Sequence, residues 1–135
     1  MALQYSVAVR NAQLDTMENT VGTSPILRIF TGSPPADCAA SSTGTLLVEM
    51  ALPSNWLNDA SNGSKTIAGG PWQANAIATG TAGYFRIFNS AGTVCHLQGN
   101  ITITGGGGDM ILDNTSIATG QSVSITAFTV TAGNA

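Results

Sequence analysis

Residues 83–99 limit most strongly what this chain can fold into. The first part, GYFRIF, alternates polar with aromatic and β-branched residues at a period of two, which is typical of a β-strand. The connection NSAG follows, and residues 93–97 form a second extended run. Two such runs joined by a short loop with glycine predict a β-hairpin. We expect this hairpin to be the central strand pair of a sheet.

The rest of the chain continues the β pattern. LRIF at residues 27–30 resembles FRIF at residues 85–88, and short apolar runs end at Gly, Pro, Asn or Ser roughly every 8–12 residues. Strands are predicted at residues 26–30, 45–52, 64–68, 72–78, 81–88, 93–97, 100–104, 110–112 and 121–131. Helical segments do not alternate with these runs, which excludes a parallel α/β fold. The pattern predicts an all-β domain over residues 23–135, either a sandwich or a closed barrel. We favour a β-sandwich of the jelly-roll or immunoglobulin type.

One segment departs from this pattern. In residues 6–18, SVAVRNAQLDTME, a narrow apolar stripe of helical period includes Val7, Leu14 and Met17. Gly22 suits a C-terminal cap, although the acidic residues near that end are disfavoured by the helix dipole. Val7 and Val9 also fit a short strand. We predict one short helix in an N-terminal arm of residues 1–22, which covers one face or open end of the sheet.

The same alternation selects a core. One face of each predicted strand is apolar, and a slip of one residue would turn the whole set outward. The predicted core residues are Leu27, Ile29, Leu47, Phe85, Ile87 and Ile125.

The chain carries little charge. Only 8% of its 135 residues are charged, against about 25% in ordinary domains, while 43% are hydrophobic. This composition excludes disorder, and the length is that of one domain. The four basic residues are scattered, so we expect no nucleic-acid partner, which would need a basic cluster. No apolar run reaches the roughly 18 residues of a membrane span, so no membrane partner is expected.

The N-terminus also lacks the basic region and apolar core of a signal peptide. Synthesis in a cytoplasm is therefore expected. The two cysteines, Cys38 and Cys95, are then expected to be free thiols. The alternative is a single disulfide that ties the loop after the first strand to the central hairpin. His96 follows Cys95 in a predicted strand, so the two side chains point to opposite faces, which disfavours a metal site or a Cys–His dyad.

Possible catalytic groups have simpler explanations. Asp109 and Asp113 flank MIL after a run of four glycines, and with Asn114 they offer oxygen ligands for calcium. Their spacing matches no calcium loop, so we favour a solvated turn. The glycine run lacks the Lys-Ser or Lys-Thr of a phosphate-binding loop. The sequence therefore predicts a protein that is not an enzyme and needs no cofactor or metal.

Arg28 and Arg86 occupy equivalent places in the two similar strands. They are either anchors for a partner's carboxylates or residues of a polar strand face, with stems over neighbouring side chains and a partner such as Glu49. We favour the second interpretation. The residues predicted for any partner interface are Arg10, Arg28, Trp56, Arg86 and Asp109.

Several segments together resemble a known group of proteins. The segments are VRNAQLD, LRIFTGSPPA, TGTLLVEM, WQANAIATGTAGYFRIFNSAGT and LDNTSIATGQSVSITAFTVTAGNA. They resemble small structural proteins encoded by tailed bacteriophages and prophages, most specifically in FRIFNSAGT and DNTSIATGQSVSITAFTVT. The likeness runs from about residue 9 to the end of the chain.

The resemblance implies a virion component. The first expectation is a capsid decoration (cement) protein on the capsid surface, which binds the major capsid protein lattice and stabilises the shell. Self-association into a small oligomer, such as a homotrimer, is expected with it. The alternative is a tail or fibre-associated module that binds a receptor or carbohydrate. In that case Trp56, Trp72 and Tyr84 would be the stacking platforms.

Overall fold

The structure, a computed structural model, describes residues 3–135, so the first two residues of the predicted arm lie outside it. Its strands make up 41% of the chain. The elements are α1 (Val7–Val21), β1 (Ile26–Thr31), β2 (Leu46–Ala51), β3 (Ser64–Thr66), β4 (Gln73–Asn75), β5 (Gly80–Phe88), β6 (Cys95–Ile103), β7 (Met110–Leu112), β8 (Ser116–Ile117) and β9 (Ser122–Thr131).

Helix α1 has a defined cap at each end. The hydroxyl of Ser6 accepts a hydrogen bond from the backbone N–H of Val9 at 3.2 Å. At the other end Gly22, at φ 91°, donates its N–H to the carbonyl of Glu18 at 2.9 Å. The prediction of a helix is confirmed, and the alternative of a short strand is wrong. The helix continues to Val21 because Gly22 is the residue that leaves helical geometry.

The strands form one mixed sheet. Its order is β2-β1-β5-β6-β7-β9-β3, with β4 paired to β9 and β8 paired to β5. The pairs are antiparallel except β6 and β7, which run parallel. The backbone N–H of Ile77 donates to the carbonyl of Leu47 at 2.8 Å, which joins the segment after β4 to β2.

The prediction of a mostly β fold with one short helix is confirmed, but a sandwich of two sheets is not. The sheet instead curls into a half-barrel. The physical reason lies in β9, which bonds to β3, β4 and β7 along different parts of its length. A continuous ladder of this kind curls with its own twist instead of dividing into two stacked sheets.

The central hairpin is confirmed. In the β5–β6 pair Ile87 lies opposite Leu97, and the side chain of Asn89 accepts the backbone N–H of Thr93 at 2.9 Å in the turn. The strands predicted at residues 93–97 and 100–104 are one strand, β6. The strand continues through Gly99. A glycine stands there because Asp109 packs against its backbone: an added Cβ would lie 2.7 Å from that carboxylate.

One cluster of apolar side chains fills the concave side. It contains all six residues predicted for the core, each at most 2% exposed: Leu27, Ile29, Leu47, Phe85, Ile87 and Ile125. Aromatic rings extend it, with Phe85 and Phe128 edge to face at 5.4 Å between centroids and Trp72 at 6.0 Å from Phe128. Helix α1 adds Val21 to this cluster, and its Leu14 is also buried.

Candidate functional site

The long loop between β1 and β2, residues 32–45, folds back onto β5 and β6. We call it the β1–β2 loop. The guanidinium of Arg86 donates to the carbonyl of Asp37 at 2.9 Å and to the hydroxyl of Ser42 at 3.2 Å. The side chain of Gln98 donates to the carbonyl of Pro35 at 2.8 Å. These bonds hold the middle of the loop on the central hairpin.

A second anchor lies near the end of the loop. The hydroxyl of Tyr84 donates to the carbonyl of Thr43 at 2.6 Å and accepts its backbone N–H at 2.9 Å. The ring of Tyr84 stacks on that of Phe30, with centroids 5.0 Å apart and planes 12° apart. Because both backbone groups of Thr43 are bonded to one fully buried side chain, the loop is fixed along most of its length.

The anchored loop brings Cys38 to Cys95 at the start of β6. Both cysteines are free thiols and half-buried. Cys95 also donates its S–H to the carbonyl of Leu97 at 3.3 Å. Burial, together with the hydrogen bond to Cys38, raises the pKa of Cys95 to about 12, so this thiol stays protonated near neutral pH.

Arg28 has the surroundings that the polar-face interpretation predicts. Its Nε donates to the carboxylate of Glu49 at 2.6 Å, and the guanidinium lies 4.5 Å from the centre of the Phe88 ring. The Arg28 side chain keeps 25% of its surface exposed. It is therefore still accessible to a partner, as is the exposed Asp109.

Three other residues predicted for an interface are buried within the chain itself. Arg10 is 9% exposed and donates from Nε to the carbonyl of Ala132 at 3.0 Å. Trp56 is 1% exposed and donates its indole N–H to the carbonyl of Gly22 at 3.1 Å. Arg86 is 2% exposed beneath the loop. Their donors satisfy backbone carbonyls of this chain that would otherwise be unpaired, so these side chains stabilise the fold itself. Their part in an interface stays a prediction.

The structure also removes the aromatic platforms of the carbohydrate-binding alternative. Trp56, Trp72 and Tyr84 are each at most 2% exposed. A sugar needs the open face of a ring, and these rings face the core or the neighbouring backbone.

Sequence patterns did not identify the ion cluster that joins α1 to β3. Lys65, only 3% exposed, lies 2.9 Å from the carboxylate of Asp15 and 3.0 Å from that of Glu18. Burial lowers the pKa of Lys65, but its hydrogen bonds to the two carboxylates outweigh burial and leave the pKa raised. Lys65 is therefore a structural cation and not a nucleophile. It also explains two acidic residues near the helix C-terminus, where the dipole alone disfavours them.

The Asp109 carboxylate caps the backbone: it accepts the N–H of Asn100 at 3.0 Å. Within residues 3–135, no three side chains among His, Cys, Asp and Glu come together as a metal ion would need.

An exposed apolar face of α1 was not predicted either. Val7 and Val9 keep 46% and 44% of their surface exposed, and a shallow groove is lined by Val9, Ala12, Gln13 and Thr16. The sequence shows apolar residues on more than one side of this helix, which is the signal that could have revealed the face.

No protein-family model matches the chain, and no curated protein or solved structure matches it. Helices long and apolar enough to cross a membrane do not occur in residues 3–135. The function of the molecule must be inferred from its own surface and contacts.

Proposed function

We propose that this protein is a bacteriophage virion structural protein, a capsid decoration protein that binds the assembled coat lattice and stabilises the shell. The resemblance of FRIFNSAGT and DNTSIATGQSVSITAFTVT to phage structural proteins supports this class. The observation that carries the proposal is that the basic side chains are buried or paired within the chain. Arg10, Lys65 and Arg86 are buried, and Arg28 is paired with Glu49.

A surface of this kind suits permanent burial against a lattice. Burying a charge without a partner costs several kcal/mol, whereas neutral Ser, Thr, Gly and Asn side chains can lose water at much lower cost. The accessible Arg28 and Asp109 are the charged residues we place at the contact. The β1–β2 loop adds a surface already held in one conformation, so little ordering is needed on binding.

Self-association belongs to this proposal. The described chain exposes 6735 Å² in total, and a standard interface takes about 800 Å² from each partner. A small symmetric oligomer, such as a homotrimer, multiplies weak contacts with a symmetric lattice. Because a decoration protein binds the assembled shell and not its free subunits, it shifts the equilibrium toward the shell.

The test adds purified protein to expanded phage shells that lack it, then measures bound copies and the temperature at which the shells open. We expect saturable binding and a higher opening temperature. A matched pair of exposed positions maps the contact: Val9→Glu alters the α1 face, and Ile77→Glu, at a residue 60% exposed, alters the segment between β4 and β5.

If shells neither bind the protein nor gain heat resistance, the capsid proposal is wrong. Location at the tail tip of intact particles would instead support the receptor-binding alternative, through residues other than the buried Trp56, Trp72 and Tyr84.

A further inference from the structure

We propose that Cys38 and Cys95 form an intrachain disulfide when the protein meets an oxidising medium, and that this bond locks the β1–β2 loop onto the central hairpin. Such a bond would involve this chain alone and would form whatever the function of the protein is.

The loop anchors place the two thiols together. Cys38 directly follows Asp37, whose carbonyl accepts the hydrogen bond from Arg86. Cys95 begins β6, the strand on which Gln98 holds the carbonyl of Pro35. Both connections hold residues 35–37 of the loop on the β5–β6 pair. Cys38 comes directly after this segment, and Cys95 lies opposite Phe88, two positions along β5 from Arg86. The two cysteines therefore approach each other through a fixed backbone and not by chance encounter.

Burial favours a bond within one chain. Both thiols are half-buried, so a small oxidant can reach them while a second folded copy is hindered. The chain has two cysteines in all, so neither has a competing partner within it. A bond between them would close a loop of roughly 60 residues, long enough to restrict the unfolded chain considerably.

Glutathione disulfide is a sufficient oxidant. The Cys38 thiolate attacks one of its sulfurs, a mixed disulfide forms, and one glutathione leaves as thiolate. Cys95 then loses its proton and attacks the Cys38 sulfur, so the protein disulfide forms and the second glutathione leaves. The two protein thiols lose two electrons, which reduce glutathione disulfide, and the two released protons are taken up by the glutathione thiolates.

The surroundings of Cys95 make this reaction sensitive to pH. Burial and the Cys38 thiol hold its pKa high, while the charge of Arg86 on β5 and the backbone at Leu97 partly offset them. Since the thiolate is the attacking species, the rate of the second step should rise about tenfold for each unit by which the pH increases, as long as the pH stays below that pKa. The reduced form therefore persists in a cytoplasm, and the bond forms after prolonged exposure to an oxidising medium.

The experiment treats the reduced full chain with glutathione disulfide at pH 7 and pH 9, and follows intact mass without reductant. We expect the mass of the monomer to fall by two hydrogen atoms without formation of dimers, and this oxidation to be faster at pH 9 than at pH 7. The Tm of the oxidised protein should be about 5–15 °C higher than that of the reduced protein. Reduction should reverse both changes.

Cys38→Ser and Cys95→Ser are the matched controls. Each should take up one glutathione and show no such rise in Tm. Persistent glutathione on both cysteines of the wild type, or disulfide-linked dimers, would overturn the proposed bond. A disulfide that forms without a rise in Tm would overturn the lock.

Discussion

Replacing Arg86 with methionine tests how the β1–β2 loop is held, because methionine fills similar space without the donors. Arg86 makes two hydrogen bonds to the side-chain oxygen of Gln98, at 3.1 and 3.0 Å. It makes one each to Ser42 and to the carbonyl of Asp37, at 3.2 and 2.9 Å. None of these acceptors is a carboxylate, so the substitution leaves no opposite charge stranded.

The magnitude follows from three acceptors that lose their donor. Gln98 is half-buried, whereas Asp37 and Ser42 are exposed residues whose oxygens water can reach. A hydrogen bond to a charged group contributes about 1.5–3 kcal/mol. Two effects reduce the sum: the loop can partly move into water, and the folded protein no longer pays to bury a cation at a site 2% exposed. We therefore expect Arg86→Met to lower the free energy of unfolding by about 3–4 kcal/mol.

Arg28→Met is the matched control. Arg28 lies directly opposite Arg86 in the β1–β5 register and within a similar tetrapeptide, but its side chain is 25% exposed and its partner Glu49 is 45% exposed. An exposed ion pair contributes at most about 1 kcal/mol, and the contact with Phe88 adds about 0.5 kcal/mol. Arg28 also donates from Nη1 to the carbonyl of Gly92 at 3.3 Å, a long bond that adds about 0.5 kcal/mol. We expect a loss of no more than about 2 kcal/mol.

Urea denaturation of both variants measures the difference, and limited proteolysis reports on release of the loop. Equal losses in the two variants, or a loss below about 1 kcal/mol for Arg86→Met, would refute the conclusion that Arg86 anchors the loop.

Three further comparisons test the rest of the structure. Ile87→Ala, at a fully buried site, should lower the free energy of unfolding by about 2–5 kcal/mol. Its control, Ile103→Ala, at a site 51% exposed, should change the free energy of unfolding by less than about 0.5 kcal/mol. Similar losses in the two variants would show that the strand register is wrong. Lys65 has a raised pKa, so its ion pairs stabilise the fold at pH values below the ordinary pKa of 10.5 and are lost as the pH rises through the folded-state pKa. The urea midpoint of the wild type should therefore fall more steeply in alkali than that of Lys65→Met. Identical pH profiles for the two proteins would contradict this expectation. Gly83→Ala would place a Cβ against the backbone of the β1–β2 loop and should lower the free energy of unfolding by about 2–4 kcal/mol. Its control, Gly133→Ala, places a Cβ in open space and should be nearly neutral. Equal urea midpoints for the two variants would mean that the loop does not approach β5 so closely.

Much of the secondary structure and of the core could be predicted from local pattern. Alternation at a period of two identified the central hairpin and the face that holds Phe85 and Ile87, since neighbouring residues of a strand must point to opposite sides. Ser6 and Gly22 could likewise mark the helix ends, because capping depends on residues within one turn. β8, only two residues long, has too few positions to show any period.

The candidate site could be predicted only in part. Arg28 with Glu49 was foreseen because the two lie on neighbouring strands of one face. The burial of Arg10, Trp56 and Arg86 could not be predicted, because a long side chain with a polar group is buried only where the fold supplies an acceptor. Those acceptors come from the carbonyls of Ala132, Gly22 and Asp37, which are remote in sequence from the donors they meet.

The sequence by itself determined which segments extend, which segment is helical and which side chains turn inward, since these follow from the geometry of a few consecutive residues. Only the tertiary structure decided that β9 bonds to three other strands and curls the sheet into a half-barrel. It also decided that the β1–β2 loop folds over the hairpin and brings Cys38 to Cys95. Both outcomes depend on pairing between distant segments, where many partners have similar local patterns and packing of the whole chain selects one.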